Sequence, residues 1–560
     1  MTVELDGESL SVDDVVAVAR AGEAVAIPGR ARERVRESRA RVEDVLDSEE
    51  VVYGVNTGFG DLVDERVPPD DLERLQANLV RSHAAAVGDP LPRAVVRAML
   101  VTRINALAKG FSGIRESVLD LLVGMVNEGV HPVVPERGSL GASGDLAPLA
   151  HVALVLIGEG EARYDGATDG PERGPRLDGE AALARADLEP ATLQAKEGLA
   201  LINGTQLTVG LAALLVEDAW RAVRAADAAG ALTTEVTMGT TAACDPAIHR
   251  VRPHDGQRVA ARNVRRLTAD SGIVEAHANC DRVQDAYSIR CLPQVHGAVR
   301  DAVSHLESAV ETELNSATDN PLVFAREQLG PDPTVTGERR GPADAVPGDA
   351  GRTEHQASGT ERAAVLSGGN FHGEPLALRL DYLVSATTEL AAIVERRIDR
   401  MLNPHVQEPH LPAFLTDRSG LRSGYMLAQY TAAALLNESR AIGRAAADST
   451  PVSGNQEDHV SMSAGAALDA RRAVDNAVTV VGIELLVAAQ AAEFVERAPE
   501  VDAGASHGTG TAAVYEAVRE VVPPLAEDRP VHEDVERADA LVRSGAVEDA
   551  VAEAVGERLE

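Results

Sequence analysis

Ala142-Ser143-Gly144 are the three residues from which a polypeptide can make an electrophile out of its own backbone. Ordinary side chains supply nucleophiles, acids and bases, so a reaction that needs an electron sink otherwise recruits an external cofactor. If the Gly144 nitrogen attacks the Ala142 carbonyl and two waters leave, one carrying the Ser143 oxygen, the product is a 4-methylidene-imidazol-5-one (MIO) ring with an exposed CH2 electrophile. Glycine suits position 144 because ring closure needs a backbone approach that a Cβ would obstruct. The surrounding stretch, Gly138-Ser-Leu-Gly-Ala-Ser-Gly-Asp-Leu-Ala-Pro148, also reads as a glycine-rich turn entering a helix, with Ser143 or Asp145 as N-cap and Pro148 in the first turn. For an isolated Ala-Ser-Gly, that plainer reading is the commoner one.

The elements that must position these residues are mostly helical. Apolar residues recur at helical spacing from Pro69 to Asn127, and glycine-containing stretches at 54–60 and 138–144 interrupt that rhythm as loops. Long segments near 205–229, 294–318, 376–402, 423–447 and 463–495 are rich in Ala, Leu and Val and predict a bundle core. The first 50 residues read as small helices, with Arg30 to Val45 charged and amphipathic. The expected class is all-α: an elongated central helical bundle at 201–500, a smaller mixed N-terminal region at 1–200 carrying the Ala-Ser-Gly loop, and an acidic helical tail at 501–560. Residues 164–178 and 326–362 are rich in Gly, Pro and charge without an apolar period, and are expected to be surface insertions.

Composition narrows the setting. The 560 residues are 44% hydrophobic, but only one Trp, seven Tyr and six Phe are present, so small aliphatic side chains must fill the interior. Three cysteines, Cys244, Cys280 and Cys291, show no paired spacing, which argues against a disulfide framework and a zinc site; Cys291 is expected to be a buried, inert thiol. No signal-peptide pattern and no run of about 18 apolar residues is seen, so the expectation is the cytoplasm with no membrane partner. The formal net charge is −35, with only two lysines, Lys109 and Lys196, among 53 basic residues. Such a surface repels nucleic acid and anionic lipid, and it is screened by molar salt. Together the acidic excess and the lysine deficit predict a protein adapted to a salt-filled cytosol.

Around the tripeptide stand further blocks in order: Tyr53-Gly-Val-Asn-Thr-Gly-Phe-Gly60, Ser82-His83, Leu201-Ile-Asn-Gly-Thr-Gln206, Gln284-Asp-Ala-Tyr-Ser-Ile-Arg-Cys291, Thr318-Asp-Asn-Pro321, Gly369-Asn-Phe-His-Gly-Glu-Pro375 and Asn455-Gln-Glu-Asp-His-Val-Ser-Met462. Through these blocks the chain resembles the aromatic amino-acid ammonia-lyase family, over a span from about Tyr53 to about Met462. The resemblance implies a fumarase/aspartase-like helical fold, usually a homotetramer with active sites shared between chains. It also implies an MIO made from Ala142, Ser143 and Gly144, with no external cofactor and no metal.

The resemblance assigns Tyr53 as the base that removes the β-proton, and Asn203 as a hydrogen-bonding partner of the ring oxygen or the substrate amine. Arg290 has the guanidinium fork that matches an α-carboxylate, and Tyr287 and Gln284, three and six residues earlier, would share its face if the segment is helical. Phe371 would form an apolar wall. His83, in the Ser-His pair, and Glu457 lie where family members read the substrate side chain. A carboxylate accepts a hydrogen bond from an imidazole N–H but offers nothing to a phenyl ring. L-Histidine is thus the expected substrate and trans-urocanate plus ammonia the products. The alternative is a tyrosine or phenylalanine ammonia-lyase or aminomutase of the same family, with tyrosine the runner-up substrate. A fumarase-like lyase would lack the Ala-Ser-Gly electrophile, and an inactive scaffold would be expected to have lost Tyr53, Ser143, Asn203 or Arg290.

Overall fold

The structure is a computed structural model that describes residues 2–47, 52, 54–55, 57, 67–167, 174–277, 282–329, 364–499, 501 and 504–560. Its internal contacts divide the chain into two compact units, one formed by residues 1–210, 311–373 and 449–461, the other by 211–310, 374–448 and 462–560.

Among the described residues every strand belongs to the first unit. The strands are short and build four small sheets, such as the parallel pair Thr2–Glu4 with Ala24–Ala26 and the antiparallel pair Leu322–Phe324 with Ala364–Leu366. The centre of this unit is the helix Arg93–Ala108, which is buried on every side from Val95 to Ala108 and carries polar residues inside the core. Arg97 donates to the carbonyls of Val18 and Val126, and Asn105 accepts from Gly7 N–H and donates to the Leu314 carbonyl. Each buried donor thereby meets a backbone acceptor rather than an apolar wall.

The core of the second unit is the packing of Glu374–Leu402 against Ser463–Ala492. Ser463–Ala492 is long and apolar enough to cross a membrane, yet most of it is buried inside the unit. Its alanines and Gly482 let neighbouring backbones approach closely: a Cβ on Gly482 would lie 2.9 Å from the Asp539 nitrogen. The fully buried Arg397–Glu484 ion pair crosses between these two helices with N–O distances of 2.5 and 2.8 Å, and Thr233 donates to the same carboxylate.

The all-α expectation holds, with differences at element ends. The segment expected to end near 229 runs through Val236, across Gly230, because a Cβ there would meet Leu292 at 2.4 Å and packing overrides glycine's weak helix propensity. The segment expected to run to 447 stops at Arg440, just before Gly443. The ends of the stretch expected to be a surface insertion at 164–178 are sheet: Tyr164 closes the strand Glu161–Tyr164, and Leu177–Asp178 pairs with it antiparallel. Asp165, also inside that stretch, is held by Arg93 and His131. Residues 168–173 and 330–363, the remaining bulk of the two expected insertions, lie outside the described residues. The tail helices Val531–Ser544 and Ala546–Val555 are amphipathic as expected and bury Leu541, Val542, Val547 and Val551.

Candidate active site

The Ala-Ser-Gly tripeptide is bracketed by two isolated backbone bridges. On one side Gly141 N–H donates to the Ser461 carbonyl at 2.8 Å; on the other, Gly204 N–H donates to the Ser143 carbonyl at 3.1 Å and Asp145 N–H to the Gly204 carbonyl at 2.6 Å. Both brackets require glycine. A Cβ on Gly141 would sit 2.2 Å from the Ser461 oxygens, and one on Gly144, whose φ is +80°, would sit 2.1 Å from the Gly204 oxygen. None of these bonds uses the Gly144 N–H. The helix Leu146–Leu156 follows at once, with Pro148 in its first turn as expected. The Asp145 carboxylate does not cap that helix. It is fully buried and accepts from Thr208 N–H at 2.8 Å, from Ser139 Oγ at 3.1 Å and from Thr208 Oγ1 at 3.2 Å. Burial pushes the carboxyl up to about 6 despite those donors.

Asn203, at the C-terminal end of the helix Glu197–Ile202, sits in a buried polar network. Its Nδ2 donates to the Asn320 carbonyl at 2.6 Å and to Asp319 Oδ1 at 3.2 Å, while its Oδ1 is buried with no hydrogen-bond partner among the described residues. Arg103 donates to the Asn203 carbonyl at 2.9 Å, to Gln206 Oε1 at 2.8 Å and to the Ala200 carbonyl. Burial draws the Arg103 guanidinium down to about 10. Lys196 donates to Asp319 at 2.9 Å with both groups buried; desolvation lowers the ammonium below the usual lysine range and Asp319 opposes that shift. Arg103, Lys196, Asp319 and Ser461 carried no expected site role, and Asp145 was expected only as a candidate helix cap. Two signals were available for them: Lys196 is one of only two lysines, and Asp319 lies in the Thr318–Pro321 block.

Residues next to the remaining first-unit candidates pack on the segments around this loop. Gly54 has φ +73°, and a Cβ there would meet Leu199 at 2.7 Å and Pro321 at 3.0 Å, so the turn after Tyr53 packs against the segments that hold Asn203. Tyr53 itself lies outside the described residues. His83 ends the helix Leu72–His83, and its Nδ1 donates to the Leu79 carbonyl at 2.8 Å, a tautomer that leaves Nε2 an acceptor. Beyond it, Ala86 packs on Gly138 at the start of the tripeptide loop. Phe371 and Glu457 are both half-buried. Their neighbours His372 and His459 stack with ring centroids 5.8 Å apart, and Gly373 N–H donates to Ser461 Oγ at 3.1 Å.

Gln284, Tyr287 and Arg290 belong to the second unit, and all three are exposed, Tyr287 by 72%. The shared helical face is corrected: only one turn, Tyr287–Arg290, is helical and Gln284 precedes it. Even so, Arg290 Nη1 donates to Gln284 Oε1 at 2.6 Å and the guanidinium lies 6.0 Å over the Tyr287 ring. The backbone between them is pinned from beneath. Buried Asp285 accepts from Thr240 N–H at 2.8 Å and from Arg282 at 3.1 Å, and Arg282 also pairs with Glu408. Cys291 is half-buried, not buried as expected, whereas burial pushes the Cys244 thiol up to about 12. Cys280 lies outside the described residues. No group of three or more potential metal ligands occurs among the described residues.

Comparison with known proteins matches this chain over nearly its whole length. The family model for aromatic amino acid lyase matches residues 10–520. A probable histidine ammonia-lyase of Halobacterium salinarum is 62% identical over 553 residues, covering 99% of this chain and 98% of that protein. The histidine ammonia-lyase of Gloeobacter violaceus is 48% identical with the same coverage. Among solved structures, histidine ammonia-lyase from Trypanosoma cruzi superposes with a TM-score of 0.83 at 39% identity, covering 99% of this chain and 95% of that one. Tyrosine aminomutase from Streptomyces globisporus superposes at 0.86 with 35% identity and full coverage of both chains. A polypeptide with a glycine-bracketed Ala-Ser-Gly loop, matched from residue 10 to residue 520, belongs to the aromatic amino acid lyase family.

Proposed function

We propose that this chain is a histidine ammonia-lyase that converts L-histidine to trans-urocanate and ammonia. The observation that carries the reading is the 62% identity, over nearly full length, to a probable histidine ammonia-lyase. In the reaction the Cα–N and one Cβ–H bond break, the Cα–Cβ double bond forms, and the released proton and amine leave as ammonium.

The residues present fit an MIO. Gly144 holds the positive φ and close approach that exclude a Cβ, its N–H is not spent on either bridge, and Asn203 Oδ1 is buried without a partner beside the Gly204 bridge. Built from Ala142, Ser143 and Gly144, the ring would supply an electrophile that makes the amino nitrogen a better leaving group. Arg290 binds the α-carboxylate in bidentate fashion, with Gln284 and Tyr287 orienting its fork. Glu457 accepts the imidazole N–H, and His83 offers Nε2 as a second polar contact. Phe371 excludes water from one side. Tyr53 takes the β-proton; a free phenol has a pKa of about 10, so the site must favour its phenolate.

The active form is a homotetramer with sites shared between chains, working in a salt-rich cytoplasm. Purified protein in molar salt, incubated with L-histidine, is expected to develop the conjugated acrylate absorbance of urocanate. The likeness to tyrosine aminomutase makes L-tyrosine the comparison substrate. Turnover of tyrosine in preference to histidine would replace the histidine assignment.

A further inference from the structure

Ser461 links three of the segments just assigned, two through hydrogen bonds to different atoms and the third through its own chain. Its carbonyl accepts the Gly141 N–H at the edge of the tripeptide, and its Oγ accepts the Gly373 N–H two residues after Phe371. Its own chain continues back through Val460 to His459, stacked on His372, and to Glu457. The side chain is fully buried, and Gly141 packs on it so closely that no Cβ could be added there.

We propose that Ser461 is a positioning residue whose hydroxyl fixes the Phe371 wall relative to the tripeptide, while its carbonyl separately holds the loop in the conformation that matures. This rests on the histidine ammonia-lyase reading. The division of labour follows from chemistry. Substituting the side chain removes the Gly373 bond but leaves the carbonyl, so wall and loop can be uncoupled. Gly141 offers no converse cut, because a Cβ there would lie 2.2 Å from both the Ser461 carbonyl oxygen and Oγ and so would disturb loop and wall together.

The test uses the full-length protein in molar salt. Ser461→Ala is expected to keep the mass deficit of two waters that marks maturation, and to lose about three- to tenfold or more in kcat/KM for L-histidine, mainly through KM, the range expected for loss of the Gly373 hydrogen bond. Because it acts through Phe371, Ser461→Ala should add little further loss in a Phe371→Leu background. Gly141→Ala, which disturbs both Ser461 oxygens, should reduce the two-water deficit as well as kcat/KM. Wild-type kcat and KM in Ser461→Ala, even with a lowered Tm, would overturn the proposal by assigning the hydroxyl to folding alone. So would full additivity with Phe371→Leu, or loss of the mass deficit in Ser461→Ala. A wild-type protein that lacks the deficit or ignores histidine would defeat the functional reading itself, a separate outcome.

Discussion

The two groups of candidate residues are held in opposite ways. In the first unit the tripeptide, Asn203 and their supports are immersed in buried polar contacts: both ends of the loop are bridged, Asp145 takes three donors, and Arg103 and Lys196 are wholly enclosed. In the second unit Gln284, Tyr287 and Arg290 stand in solvent on a backbone pinned from beneath by Asp285 and Arg282. The contrast matches the work proposed for each. An electrophile made from backbone must be forced into shape before any substrate arrives, so its unit carries the cost of preorganisation internally. A carboxylate anchor gains strength when water is excluded from it.

The largest expected effect tests the first side of the comparison. Ser143→Ala removes the oxygen that leaves in the second dehydration, so turnover should fall by at least about 10³, a small part of the about 10⁶-fold or greater acceleration enzymes supply. Circular dichroism should be unchanged. Appreciable residual activity would remove the electrophile from the proposal.

Salt tests the second side. Lowering ionic strength from about 1 M to about 0.01 M lengthens screening from about 3 Å to about 30 Å, so a chain of net charge −35 repels its neighbours. Sedimentation and urocanate formation should decline together, while the two-water mass deficit proposed for the first unit should persist. An intact, fully active oligomer in dilute buffer would sink the salt-adaptation reading.

Two arginines sharpen the contrast directly. Arg103→Met strands buried carbonyls and Gln206 and should cost about 3 kcal/mol or more of stability. Arg290→Met should lower kcat/KM by roughly 10- to 150-fold, from about 1.5–3 kcal/mol per charged hydrogen-bonding contact, with little change in Tm. Equal melting losses for both would erase the distinction between the two regions. Glu457→Gln should lower kcat/KM for histidine within that same range, toward its lower end, and shift selectivity toward tyrosine; an unchanged ratio would remove Glu457 from specificity.

The smallest effect concerns Asp145. Its folded carboxyl is raised to about 6 from 3.8, so the stability it contributes is fully present below the unfolded value and is lost as pH rises through about 6. Asp145→Asn cannot titrate. The melting-temperature advantage of the wild type over this variant should therefore shrink between pH 4 and pH 7, roughly the window set by those two values. A gap that widens with pH would show the carboxylate to be stabilised in the fold.

Legibility differed between these regions. The tripeptide, Tyr287 and Arg290 are recognisable because their chemistry is local: three consecutive residues, or a short block. The glycine interruptions at 138–144 marked the loop correctly, because a positive φ and a missing Cβ are properties of single residues. Asp145, by contrast, could be read only as a helix cap, since its true donor Thr208 lies 63 residues away. Lys196 meets Asp319 across 123 residues, and Ser461 meets Gly373 across 88. The helix expected to end near 229 continued to Val236 for a similar reason, the fit of Gly230 against Leu292.

What the sequence determined by itself was therefore the helical class and the acidic character, and it named the candidate reactive groups, each from composition, period or a contiguous motif. Only the tertiary structure decided which backbone bridges bracket the tripeptide, which charges are buried and paired, and which candidates stand in solvent. Those outcomes depend on desolvation and on sub-ångström steric fit between segments far apart in the chain, and neither quantity is carried by any one stretch of residues.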